Sequence, residues 1–310
     1  MRRSIRRTMM FLNAQRASLV KDAYIYGADC VILDLEDAVS PNEKDSARVQ
    51  LYNTLKSVDY GETEVWVRIN ATDSPYWKED VRASVAGGCD GIRIPMCETK
   101  EQVEIVEEFV EECEKEFNKE VGSTMLMAAL ETPLAIINCY EICKSSDRLM
   151  GVALSGGDFA RTMHATTTKT GEEYFLARSQ MLLSARAAGV MCFDTVYTDL
   201  DDEESLRRET EMIKNMGFDG KSIISPKQID IVHDVFTPSE KEIANAQRVI
   251  LAVQEAKEAG IGVVVVNGKM VDNAHVEGSY RTLEMAKAAG KYEGELIWKT
   301  QWIEKFQIIC

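Results

Sequence analysis

Short apolar runs bounded by turn residues recur along most of the chain, and a stretch of helical spacing follows nearly every one. The runs cover residues 8–12, 30–35, 64–70, 91–95, 125–130, 149–154, 191–197 and 221–225. Short apolar runs ended by Gly or Pro suit strands buried on both faces of a parallel sheet. The intervening stretches, at 13–27, 42–56, 76–86, 99–119, 134–144, 172–188 and 202–216, carry apolar residues three and four apart and polar residues elsewhere. This alternation predicts an α/β fold, a (β/α)8 TIM barrel rather than an open doubly wound sheet. Beyond residue 232 the rhythm changes. A long helix over 239–260 starts at Thr237-Pro238-Ser239, a short strand covers 263–267, and another helix covers 273–289. The tail carries Trp298, Trp302 and Phe306 at i,i+4 spacing and reads as a packing surface. Residues 1–232 are therefore expected to form the barrel, and 233–310 a C-terminal helical extension.

The carboxyl ends of the runs gather chemistry. Runs five and six end in Glu131 and Asp158, and run two leads into Asp34, Glu36 and Asp37. Run three contributes Arg68 and Asn70. In barrels this edge holds the active site. Two carboxylates held close together repel unless a proton or a cation lies between them. An oxygen-only donor set favours Mg²⁺ or Mn²⁺ over zinc. Taken alone, Glu131 serves equally as a helix cap and Asp158 as a turn residue.

Composition narrows the function. With 36 basic and 51 acidic residues the formal charge is -15, which argues against a nucleic-acid or membrane-surface binder. The one dense basic patch, Arg2-Arg3-Ser4-Ile5-Arg6-Arg7, reads as a solvated arm, with attraction of an anionic substrate as the alternative. No apolar run approaches the roughly 18–20 residues of a membrane span, and no apolar stretch follows the arginines as a signal peptide requires. The eight cysteines are dispersed without a C-x-x-C pair, which fits reduced thiols in a cytoplasmic protein. His164, His233 and His275 stand near no nucleophile, and no dinucleotide or P-loop motif occurs. Lys221 and Lys227 flank run eight and leave a Schiff-base aldolase open.

Several motifs then converge: Leu33-Asp-Leu-Glu-Asp-Ala-Val39, Val67-Arg-Ile-Asn70, Leu130-Glu-Thr132, Gly156-Gly-Asp-Phe159, Phe193-Asp-Thr-Val-Tyr197, Gly217-Phe-Asp-Gly-Lys-Ser222 and Asn267-Gly-Lys-Met-Val-Asp272. In this order they resemble the citrate lyase β-subunit family, of the metal-dependent aldolase superfamily that also holds malyl- and citramalyl-CoA lyases. The resemblance runs from Arg6 to Gly290. It implies a trimeric or hexameric Mg²⁺ enzyme that cleaves citryl thioester on an acyl carrier protein to oxaloacetate and acetyl thioester by a retro-Claisen route, beside α and γ subunits.

Residue by residue, the resemblance makes Glu131 and Asp158 the metal ligands and Arg68 the group that steadies the oxygen becoming negative. It makes Asp272, delivered from a neighbouring subunit, the acid/base. Glu36 and Asp37 are expected behind Arg68 or a metal-bound water, with a loop-closing acid pair as the equal alternative, and Arg16 and Gly157 on the substrate side. Two places depart from the family pattern. Asn13-Ala14 stands where many relatives carry Pro-Gly, and Arg161-Thr162-Met163-His164 where a second aspartate and a glycine are frequent. Both bear on which acyl group is gripped. A stand-alone CoA-thioester lyase and a non-catalytic assembly barrel are the alternatives.

Overall fold

The computed structural model describes residues 5–294. Eight parallel strands close into a barrel in chain order. They are β1 (Thr8–Asn13), β2 (Cys30–Asp34), β3 (Glu64–Arg68), β4 (Gly91–Ile94), β5 (Met125–Leu130), β6 (Leu149–Leu154), β7 (Met191–Asp194) and β8 (Gly220–Ile223). Closure is made by β1, which pairs Met9 with Cys30 on one side and with Ser222 on the other. Nearly every strand residue is buried, as the continuous apolar runs require.

Period-two alternation divides the side chains into two cores. Residues facing the helices, such as Val31, Leu33, Val67 and Ile92, join the larger shell. Those facing the barrel axis, Met9, Cys30, Ile32, Trp66, Met127, Ala153 and Phe193, fill its interior. Gly91 makes room for Trp66, whose ring a β-carbon at 91 would overlap. The barrel is thus a packed column, and polar chemistry is confined to its ends.

At the amino end, Arg6 and Arg7 are spent on structure. Arg6 forms a bidentate pair with Glu64, at 2.6 and 2.9 Å, and Arg7 holds Asp29 with Nε and Nη2 at 2.8 Å each. These two arginines are neither a solvated arm nor a substrate lure; residues 2–4 of that patch lie outside the described residues. His233 Nε2 lies 2.9 Å from the Thr8 hydroxyl and 3.5 Å from Asp29, which ties the helix Ile229–Phe236 to β1.

Three local expectations change. Residues 13–27 form only a turn of helix, Ala17–Val20, and a 3₁₀ turn, Ala23–Tyr26. Tyr24, Ile25 and Tyr26 are exposed, so no continuous apolar face exists to hold a longer helix. The helix expected over 134–144 is split into Pro133–Ile137 and Cys139–Cys143, and at the break the Asn138 side chain donates to the Glu98 carbonyl at 2.9 Å. Finally, Gly156–Thr162 is a helix, so Asp158 sits in its first turn rather than in a loop.

The chain divides into two compact units, Met1–Phe236 and Thr237–Cys310. The boundary anticipated at 232 falls inside the helix Ile229–Phe236. In the second unit a helix (Glu240–Glu258), a hairpin (β9, Val264–Val266, and β10, Lys269–Val271) and a helix (Asn273–Ala288) share a core that includes Val249, Val253, Tyr280 and Leu283. Trp298, Trp302 and Phe306 lie outside the described residues.

The seam between β1 and β8 is tight at Gly220, where a β-carbon would overlap the Arg6 carbonyl and come within 2.9 Å of that of Arg7. Backbone cannot move aside as a side chain can. Gly220→Ala is expected to cost about 1–3 kcal/mol, read as a lower urea midpoint at unchanged slope. The same change at Gly157, where a β-carbon meets nothing within 4 Å, should leave the midpoint unmoved.

Candidate active site

At the carboxyl end the axis-facing positions continue upward from the apolar column. On β3 the series Glu64, Trp66, Arg68 runs from the amino-end ion pair through the core to the mouth. On β2 it is Cys30, Ile32, Asp34. Because Asp34 and Arg68 are direct partners in the β2–β3 register, their side chains meet. Arg68 Nε and Nη2 each donate to one Asp34 oxygen at 2.7 Å. The same guanidinium reaches Glu36 at 2.8 Å and Asp37 at 3.7 Å through Nη1. One arginine therefore serves three acids, and the structure brings Glu36 and Asp37 to it.

That imbalance shapes the electrostatics. Burial, more than anything else, pushes the Glu36 carboxyl up to about 8; Arg68 pulls it down, and Glu131, Asp37 and Asp34 add to the rise. Its buried Oε2 lacks hydrogen-bond geometry although Arg68 lies within ion-pair distance. Distance and titration agree once the bidentate bonds to Asp34 are counted. Arg68 is already neutralised, so Glu36 is a second acid beside a spent cation.

Glu131 follows β5 and is almost fully buried. Ser155 donates to its Oε1 at 3.0 Å. Burial raises its carboxyl above the ordinary range, Arg68 and Arg93 oppose this, and the charge of Asp158 adds to it. Asp158 is half-buried and paired with Arg161 at 2.5 Å. Arg161 itself is exposed, so this pair is weakly held and open to exchange. Thr162, next in the same helix, donates to the Glu131 carbonyl at 3.3 Å and joins the two acidic loops.

The cleft above these groups has a volume of about 420 Å³. Phe11 forms part of its lining, with the guanidinium of Arg68 5.1 Å from its ring centre and that of Arg93 5.0 Å away. Asp34, Asp37, Gly157 and Asp158 also line it. Arg16 does not; it is exposed at the start of the short helix after β1. Asn70 is turned away, bonded to Asp80 at 2.6 Å and to the Leu35 carbonyl at 3.1 Å. Asp272 belongs to the second unit, where it follows β10 and its carboxylate lies 2.9 Å from His275 Nδ1.

Pattern alone places Asp34 among the acids of the carboxyl edge, but it does not single out Arg93 or Ser155. The signal was there in part. Arg93 is a charged residue inside the apolar run Gly91–Ile94, two positions after the glycine that admits Trp66.

The donor set fits a hard divalent cation. Among the described residues no three His, Cys, Asp or Glu are grouped to hold a metal by themselves, which disfavours a closed zinc-type cage. Two carboxylates, Glu131 and Asp158, with water and substrate oxygens completing the shell, are what Mg²⁺ takes. The surplus of acids over arginines, felt as the raised Glu36 and Glu131 carboxyls, is the charge such an ion neutralises.

Lys221 is removed from the chemistry. It faces the helix layer from β8, fully buried, with its Nζ 2.9 Å from Asp194, 2.5 Å from Glu209 and 2.7 Å from the Thr195 carbonyl. Arg178 closes the network with two bonds to Asp194, at 2.8 and 2.9 Å. Two cations balance two anions, so the lysine is no free amine, and Lys227 lies exposed in the 3₁₀ turn Pro226–Gln228. The network still bears on the site. Thr195, held through its carbonyl, accepts at its hydroxyl from the Gly156 amide at 2.8 Å and so anchors the helix that carries Asp158.

Fold and mouth together define a TIM barrel with an acid-rich carboxyl end. Residues 7–226 match the HpcH/HpaI aldolase/citrate lyase family, and residues 163–290 match a family described as a C–C bond lyase of the TIM-barrel fold. The chain belongs to the HpcH/HpaI aldolase/citrate lyase family and is a carbon–carbon lyase. It is 48% identical over 284 residues to the citrate lyase subunit beta of Leuconostoc mesenteroides subsp. cremoris, covering 92% of this chain and 94% of that one. Among solved structures it resembles protein CitE of Mycobacterium tuberculosis in complex with magnesium, acetoacetate and coenzyme A, with a TM-score of 0.73 and 27% identity over 92% of this chain and 99% of that one. It also resembles the citrate lyase beta subunit of the same organism complexed with oxaloacetate and magnesium, with a TM-score of 0.63 and 28% identity over 76% of this chain and 98% of that one.

Two outcomes follow for folding and titration. Lys221→Met leaves two buried acids facing one arginine and is expected to cost about 3–5 kcal/mol in urea unfolding. Glu36 has a pKa raised on folding, so between about 4.5 and 8 the folded protein binds a proton that the unfolded chain has released. Stability of the metal-free protein should therefore fall as pH rises through that window. Glu36→Gln should flatten the dependence, measured as urea midpoints from pH 5 to pH 9.

Proposed function

We propose that the protein is a citrate lyase β subunit, a Mg²⁺-dependent lyase that cleaves citryl thioester to oxaloacetate and acetyl thioester. The observation that carries this reading is the acid-rich barrel mouth, with Glu131 and Asp158 beside an arginine buttressed by Asp34, Glu36 and Asp37. Glu131 and Asp158 would hold the cation. When bound, it supplies Lewis-acid polarisation of the substrate's carbinol and carboxylate oxygens.

The chain's own residues supply the remainder. A base takes the proton of the tertiary alcohol, the electron pair closes a carbonyl, the carbon–carbon bond breaks, and the pair passes to the thioester as an enolate. Arg68, fixed in place by its bidentate bond to Asp34, faces the oxygen that becomes negative. Glu36, with its raised carboxyl, holds Arg68 from behind and buffers the charge of the mouth. Gly157 leaves open space beside Asp158 for the acyl group. Protonation of the enolate carbon to a methyl group falls to Asp272 of the partner subunit in a trimer or hexamer.

In this reading the acyl group arrives on an acyl carrier protein, with α and γ subunits beside this one. Among the described residues seven cysteines are free and buried, which fits a reducing cytoplasm. No helix of the described residues is long and apolar enough to cross a membrane.

Glu131→Gln and Asp158→Asn are each expected to lower kcat about 100-fold or more with citryl thioester and Mg²⁺, and EDTA should abolish turnover of the wild type reversibly. Cleavage that persists in EDTA would remove the metal-dependent mechanism, whereas unchanged activity of the assembled complex in both variants, with normal folding, would remove the metal clamp and leave a non-catalytic assembly barrel as the reading.

A further inference from the structure

Arg93 is the unexplained charge of the barrel mouth. It is 1% exposed, yet it lines the cleft. Among the described residues no carboxylate forms an ion pair with it, and its buried Nε has no hydrogen-bond partner. What it does touch is weak. Nη1 lies 3.4 Å from the Ser222 hydroxyl and 3.9 Å from the Met127 sulfur, and Nη2 lies 3.3 Å from the Ser155 hydroxyl. A buried guanidinium without an anion is costly, and native proteins keep such groups where a ligand completes them. The surrounding acids are committed elsewhere. Asp34 is held by both prongs of Arg68, and Glu131 accepts from Ser155 and is assigned to the cation.

We propose that Arg93, with the Ser222 hydroxyl beside it, binds a second carboxylate of the substrate, the one on the carboxymethyl arm, and so selects a dicarboxylic oxo acid as the product. This rests on the lyase reading above and assigns one subsite within it. Arg93 is the register partner of Arg68 on the next strand, and the two guanidiniums share the Phe11 ring. The two arginines thus divide the work. Arg68, neutralised by its acids, faces charge that develops during the reaction, whereas Arg93, uncompensated, meets charge already present on the substrate. A guanidinium takes a carboxylate in bidentate fashion. A substrate carrying methyl or hydrogen in place of the carboxymethyl arm leaves that cation unpaired in the closed site, which is a stronger basis for rejection than shape alone.

The test compares wild type, Arg93→Met and Arg93→Lys with two thioesters that differ only at this arm, citryl and citramalyl, in the presence of Mg²⁺. In Arg93→Met the ratio of kcat/KM for citryl over citramalyl should fall roughly 100-fold, the scale of one lost charge-assisted contact. Citramalyl cleavage should hold or rise, and Arg93→Lys should recover part of the preference. An equal fall for both thioesters, or an unchanged ratio, overturns the proposal. Folding is a second readout. A structural arginine would destabilise when removed, whereas this one, lacking a protein anion, should give a urea midpoint at or above that of wild type as Met; a clearly lower midpoint also counts against it.

Direct binding separates this subsite from the lyase reading. By calorimetry with Mg²⁺, wild type should bind oxaloacetate more tightly than pyruvate, and Arg93→Met should lose that difference. If wild type cleaves neither thioester but the Arg93-dependent preference is present, the lyase reading fails and the subsite stands. If wild type cleaves citryl thioester and the preference survives in Arg93→Met, the subsite fails and the lyase reading stands.

Discussion

The bidentate bond between Arg68 and Asp34 is the constraint on which the mouth of the barrel depends. It exists because β2 and β3 are in register at these two positions and both side chains face the axis. Once made, it commits Nε and Nη2 to Asp34 and leaves Nη1 alone for Glu36 and Asp37. Glu36 answers with a raised carboxyl; Glu131 and Asp158 are left as an electronegative pair on the far strands. Two carboxylates left in this way fit a hard cation, which would add the positive charge that the mouth lacks.

The two ends of the barrel show what the same residue types do under different accounting. At the amino end each arginine has its own acid, Arg6 with Glu64 and Arg7 with Asp29, and the groups are closed off. The buried quartet of Arg178, Asp194, Lys221 and Glu209 is balanced in the same way and only anchors the loop that bonds Gly156. At the carboxyl end the sums do not close. One arginine pairs with three acids, and among the described residues the next forms no ion pair. Balanced clusters hold the fold, and unbalanced ones are where a ligand's charge would be felt most.

Between these ends lies a column of apolar side chains, with Trp66 packed over Gly91. That floor gives the mouth its low dielectric. It explains why carboxyls rise and why an unpaired guanidinium matters there more than it would at the surface. It also fixes the depth of the site, because the first axis-facing positions above the column are those of Asp34, Arg68 and Arg93.

The barrel was legible in the chain because eight apolar runs of strand length, each closed by turn residues, admit few other folds. The position of Glu131, Asp158 and Arg68 at the carboxyl edge was legible because they stand where such runs end. Other features were not. The helix expected over 134–144 breaks at Asn138 because a side chain bonds a carbonyl 40 residues away in sequence. Lys221 looked available from its place on a strand, and only its outward side of the barrel wall showed that two acids enclose it. Arg93 is the clearest case. Its position in a strand could be read directly, but its lack of an anion is a property of everything around it. Local pattern determines where the strands run and which residues stand at their ends. Which charges are paired, and which is left waiting, is decided when strands distant in sequence are brought to one mouth, because electrostatic balance is a sum over neighbours that only the folded chain assembles.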